Sequence, residues 1–100
     1  MPDLNLSIPH QLPQDEAVRR IQTAMERAKV QYGEHVSGIE EHWNGNVGTF
    51  NITVRGMAIP ATVTVNPSDV AFHAELPMIA SFFKGQIETT AREMLGRILA

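Results

Sequence analysis

The sequence predicts an α+β domain, an antiparallel sheet of four to five strands with two amphipathic helices on one face, in the order β-α-β-β-β-β-α. Three observations predict it. Residues 13–32 and 77–99 repeat apolar side chains at the helical period. Residues 35–76 instead alternate with the period of two that a half-buried strand requires. Turn signals at Asn44-Gly45, Arg55-Gly56 and Asn66-Pro67-Ser68-Asp69 cut that middle stretch into four strands, joined too closely for anything but antiparallel pairing.

Each element has its own local reason. Leu4, Leu6 and Ile8 alternate with Asp3, Asn5 and Ser7, which reads as a short first strand before a turn between Pro9 and Pro13. In the first helix Ala17, Val18, Ile21, Ala24, Met25, Ala28 and Tyr32 form one stripe. Pro13 suits the first helical position, Asp15 and Glu16 the positive end of the dipole, and Gly33 the exit. Ile39 and Trp43 share a face of the next strand, followed by Phe50, Ile52 and Val54. At Gly56 the phase flips to Met57, Ile59, Ala61, Val63 and Val65, and Pro60 argues for an edge or a bulge there. The last strand buries Val70, Phe72, Ala74 and Leu76. Pro77 opens a second helix reaching about Leu99, about 33 Å long at 1.5 Å per residue. Its central stripe is Phe83, Ile87, Ala91, Met94 and Ile98. Lys84–Glu88, Glu88–Arg92 and Glu93–Arg97 are spaced as supporting ion pairs. Where the first strand joins the sheet is not readable from this pattern.

One hundred residues fit a single domain, 1–100, able to bury roughly 60–65% of its unfolded surface. There is no cysteine, which excludes disulfides, thiolate nucleophiles and sulfur-ligated zinc. The net charge is −3, with the eight Lys and Arg residues spread along the chain, so no electrostatic footprint for nucleic acid or anionic lipid is expected. No apolar run approaches the ~20 residues of a membrane span, and Met1-Pro2-Asp3-Leu4 lacks a targeting pattern. A cytoplasmic location is the expectation.

Chemistry-bearing residues are sparse. The histidines His10, His35, His42 and His73 form no HExxH or His-x-His pattern, so no metal is expected. His42 and His73 fall on strand positions facing solvent. His10 lies in a turn between two prolines, where its ring either caps the first helix or offers a polar contact at a binding surface. Glu40 and Glu41 alternate across a strand, cannot form an acid/base pair directly, and read as part of a solvated face. No serine lies in a nucleophile elbow and no Gly-rich loop carries a phosphate-binding Lys. No catalytic residue and no cofactor is expected. Trp43, beside a hairpin turn, reads as a clamp of the sheet end onto a helix or as a hot spot for a partner. Phe82, Leu95 and Leu99 lie outside the second helix's stripe and widen its apolar arc. Either the first helix covers that excess, or it is an interface with a second copy or an apolar partner.

The order and spacing of several features resemble one family. They are Ile8-Pro9-His10-Gln11-Leu12 closing a strand, a helix from about Ala17, and Trp43 before a Gly-containing turn. Phe50, Gly56, Ile59, Val63, Val65 and Leu76-Pro77 before a long terminal helix complete the pattern. It is similar, over nearly the whole chain, to the polyhydroxyalkanoic acid system proteins, also described as granule-region proteins. The resemblance implies an accessory or interaction protein of storage-polyester granules, with a polyester synthase, a granule-coat protein or the polymer surface as partner. It carries no catalytic residues. A different reading is a helix-grip module holding a small apolar ligand between sheet and helix, favoured by Ala61, Ala74 and Ala91. A hydrolase or thioesterase would need His10 and a carboxylate to converge in a pocket.

Overall fold

Five strands pair antiparallel in the order β1-β5-β4-β3-β2, and two helical segments cover one face of this sheet. The strands are β1 (Asp3–Pro9), β2 (Gly38–Asn44), β3 (Val47–Val54), β4 (Met57–Val65) and β5 (Asp69–Glu75). The helices are α1 (Gln14–Gln31) and α2 (Lys84–Ile98), the latter preceded by a 3₁₀ segment, Met78–Phe83. The computed structural model describes residues 3–31, 33, 38–54 and 56–100, with Val54 described in its backbone only. Tyr32, expected at the end of the first helix, and His35 lie outside them, as do residues 34–37 at the expected start of the second strand.

Register explains which face is buried. Leu4, Leu6 and Ile8 pair with Ala74, Phe72 and Val70, which pair in turn with Ala61, Val63 and Val65. Phe50 opposite Ala61 extends the same face into β3. Nearly all these side chains are buried, together with Ala17 and Ile21 of α1, Leu95 of α2, and Leu99 just beyond α2. The other face carries the alternate positions, including the cross-strand row Asn5, His73, Thr62, Thr49 and His42. There the His73 Nδ1 lies 2.7 Å from the Asn5 side-chain oxygen. The expected α+β order is therefore present, with five strands, and β1 joins the sheet as an edge beside β5.

Several local expectations need correction. Pro13 lies one residue before α1, and its carbonyl accepts the Ala17 N–H at 3.0 Å, the place of an N-cap. The first hairpin loop is Gly45-Asn46, one residue later than expected, with Gly45 at φ 60. At the second hairpin Val54 pairs with Met57 around a two-residue loop containing Gly56 at φ 78, which is what flips the alternation. β4 is an inner strand, not an edge. Its ladder with β5 begins only at Ala61, so Pro60 stands beyond it and no ladder bond to β5 is lost there.

The expected helix 77–99 is two structures. Pro77 (φ −58, ψ 153) leads into the 3₁₀ segment, and its carbonyl accepts the N–H groups of Ala80 and Ser81 at 2.9 and 3.2 Å. At ~1.5 Å per residue the 15 residues of α2 span about 22 Å. Excluding Phe83 rotates its buried stripe by about 60° at 100° per residue. Leu95 lies near the centre of that stripe and Leu99, just beyond α2, at its edge, while Phe83 and Met94 are exposed. Of the three expected ion pairs, Glu88–Arg92 is present at 3.3 Å. Lys84–Glu88 and Glu93–Arg97 are not among the ion pairs of the described residues.

Candidate functional site

The 3₁₀ segment Met78–Phe83 (MIASFF) contains no charged residue. Its tight three-residue turn places side chains i and i+3 above one another, so that Ile79 and Phe82 form one ridge and Ala80 and Phe83 another. Ala80 packs against the core and anchors the segment. The Ser81 hydroxyl donates to the Met78 carbonyl at 2.5 Å. What remains turns outward: Met78 is 76% exposed, Ile79 62%, Phe82 83% and Phe83 59%. Four of the six most exposed large apolar side chains of the described residues thus stand in six consecutive positions. With roughly 200 Å² per large side chain, this is roughly 550 Å² of apolar surface, at the top of the range for a soluble monomer. The segment leaves the sheet beyond Leu76, at the end where Ile39, Ile52 and Ile59 form a partly buried cross-strand row.

Of the residues singled out from sequence, Phe82 belongs to this surface. Leu95 and Leu99 do not: both are buried in the core, so of the two readings of the wide α2 arc these residues fit the one in which the fold itself covers it. Met78, Ile79 and Phe83 are surface residues that the helical reading does not find. Their signal is the pair of adjacent apolar doublets, Met78-Ile79 and Phe82-Phe83, which a narrow helical stripe cannot bury together.

His10 does not belong to this surface either. It is buried, and both ring nitrogens are occupied: Leu12 N–H donates to Nδ1 at 3.1 Å, and Nε2 lies 2.8 Å from the Asn66 carbonyl. An Nδ1 that accepts leaves Nε2 as the donor, so the ring bridges the β1–α1 turn to the β4–β5 turn. The His10 N–H donates to the Ser68 carbonyl at 2.9 Å, tying the same two turns a second time.

Trp43 is the clamp. Its ring lies on Gly48, its cross-strand partner, where an added Cβ would come within 2.8 Å of the indole. It meets Phe50 edge-on at a centroid distance of 5.9 Å. The indole N–H donates to Glu41 at 2.7 Å, and the other Glu41 oxygen accepts from the Lys29 ammonium of α1 at 2.7 Å. Glu41, expected on a solvated face, is turned under the helix with its side chain 9% exposed. The alternation that puts Glu40 outside puts Glu41 on the face of Ile39 and Trp43. Its hydrogen bond holds the Lys29 ammonium above its ordinary proton affinity, with a smaller contribution from Glu26. Among the described residues no cluster of His, Asp and Glu is placed to hold a metal ion.

A comparison with curated proteins returns no match. Among solved structures the chain is similar to the crystal structure of TTHA0849 from Thermus thermophilus, at 9% identity over 98% of this chain and 92% of that one. The TM-score of 0.36 is too low for that likeness to carry an argument. The family comparison is decisive, because the model of the family described as "Putative polyhydroxyalkanoic acid system protein" matches residues 4–99. The chain belongs to that family.

Proposed function

We propose that this chain is a non-catalytic accessory protein of the polyhydroxyalkanoate system that attaches to the storage polyester through Met78–Phe83. The observation that carries the reading is the uncharged, outward-facing 3₁₀ segment. A polyester surface is apolar and uncharged, so it rewards burial of Phe82, Phe83, Met78 and Ile79 without demanding a matching pocket. The location that follows is cytoplasmic, at the granule. His10 supports the non-catalytic part of the reading, since both ring nitrogens are held by backbone groups and none is left for proton transfer. The helix-grip alternative would need the space that Leu6, Ile8, Val65, Val70 and Leu95 fill.

The test is co-sedimentation of the purified protein with washed polyester granules, comparing the wild type with the double variant Phe82→Ser, Phe83→Ser. Truncating Phe82 alone withdraws roughly 150 Å² of apolar contact, gross about 3–4 kcal/mol, so at least a tenfold weaker association of the double variant is expected. Equal sedimentation of both proteins, or none of either, would refute attachment by this segment. Capture of a synthase or coat protein by both proteins alike would move the partner elsewhere on the molecule.

A further inference from the structure

Between α1 and the end of α2 runs a groove of about 410 Å³ into which four arginines converge: Arg19, Arg20, Arg27 and Arg97. We propose that this groove binds a phosphate group, as an organic phosphate or phosphoanhydride held by Arg27 and Arg97. This inference is independent of the polyester reading.

Half of the eight Lys and Arg residues of a chain with net charge −3 line this one groove. The helical period is the cause, for Arg20, Ala24 and Arg27 recur at intervals of four and three on the side of α1 that meets α2. Two of the four have structural duties. Arg19 and Arg20 share the carboxylate of Glu16. Arg20 also donates to the carbonyls of Ile98 and Ala100, at 3.3 and 2.6 Å, where the negative end of the α2 dipole lies. Arg27 and Arg97 make no ion pair or side-chain hydrogen bond among the described residues, although both are within reach of the same groove. Two acids of the described residues on the same helices are engaged elsewhere. Glu26 pairs with Lys29, and Glu93 lines a separate groove with Glu88 and Arg92.

Arg27 and Arg97 are both exposed on the lining of one groove, free of an ion pair among the described residues and so available to an anion. Their planar forks fit the oxygens of a phosphate, and a polyanion gains most from both. Thr23 and Ala24 keep the floor low enough for such a group, with the Thr23 hydroxyl a further donor, and Ile98 offers apolar contact to an organic remainder. At about 410 Å³ the groove is in the size range of small-ligand sites.

Titration of the ¹⁵N-labelled full chain with inorganic diphosphate at low salt tests the site. The expected result is saturable shifts centred on Thr23, Ala24, Arg27 and Arg97. The double variant Arg27→Gln, Arg97→Gln should weaken binding at least tenfold while retaining the wild-type fold by circular dichroism. Arg92→Gln removes one positive charge on the opposite flank of α2 and should leave binding within twofold. Sedimentation with phosphatidylglycerol vesicles, against phosphatidylcholine vesicles, separates the sources of the phosphate. Vesicle binding displaced by diphosphate assigns a lipid headgroup, and diphosphate binding alone assigns a soluble phosphate. Absence of saturable binding in both assays, or equal losses in the double variant and Arg92→Gln, overturns the proposal.

Discussion

Replacing Glu41 by Gln keeps the shape of the side chain and removes its charge, which isolates the clamp between α1 and β2. The carboxylate offers acceptors to two donors at once, the Lys29 ammonium and the Trp43 indole N–H, each at 2.7 Å. An amide has one acceptor oxygen, and its NH₂ would face a donor on the other side. One of the two donors must therefore lose its partner. A hydrogen bond to a charged group contributes about 1.5–3 kcal/mol when buried, but Lys29 is about one-third exposed and can turn to Glu26 or water. The indole N–H has less freedom, because its ring is held on Gly48 and against Phe50. A net loss of about 2 kcal/mol is expected, equivalent to a fall in Tm of roughly 8–16 °C for a chain of this size. Urea and thermal unfolding followed by fluorescence measure it directly, since Trp43 is the single tryptophan and reports on its own environment. A double-mutant cycle with Lys29→Met separates the ion pair from the indole bond. A loss below about 0.5 kcal/mol with unchanged Trp43 emission would mean that the clamp does not hold α1 to the sheet edge.

Other consequences follow from the same geometry. Gly48→Ala should destabilise by about 1–3 kcal/mol, because its Cβ would press on the indole ring at 2.8 Å; a neutral effect in chemical denaturation would show that Trp43 can swing away freely. Leu95→Ala should cost about 2–5 kcal/mol and Phe82→Ala close to nothing, a contrast read from two urea melts, since the first side chain is in the core and the second in solvent. His10→Leu should cost about 2–3 kcal/mol by stranding the Leu12 N–H and the Asn66 carbonyl, and equal stability of variant and wild type would remove the bridging role. Glu16 has its carboxyl held at about 2, against an ordinary 4.5, chiefly by hydrogen bonds from Arg19 and Arg20. Its contribution is complete above the ordinary value and is lost as pH falls from about 4.5 to about 2, so the stability gap between wild type and Glu16→Gln should close over that interval. A gap that stays constant down to pH 2 would contradict the pairing.

The strands are legible because burial of one sheet face forces an alternation that a one-residue slip would destroy, as in Leu4, Leu6 and Ile8. The candidate surface is legible only in part. Reading 77–99 as one continuous helix carries the period of 3.6 through six residues that follow a period of three. That places Phe83 in the buried stripe and pushes Leu95 and Leu99 out of it. Glu41 misleads for another reason: its residue type argues for solvent, and only Lys29, twelve residues earlier on α1, makes an inward position tolerable.

By itself the sequence determined the element order, the alternation of each strand and the helical character of residues 14–31, which depend on neighbours a few positions apart, and the family, which depends on the order of these features along the chain. The tertiary structure decided the rest. It set β1 beside β5, broke the last helix at Lys84, buried Leu95 and Leu99, turned Glu41 inward and brought Arg27 opposite Arg97. Apart from the break at Lys84, each of these joins groups well separated along the chain, and their energies exist only once the layers have packed.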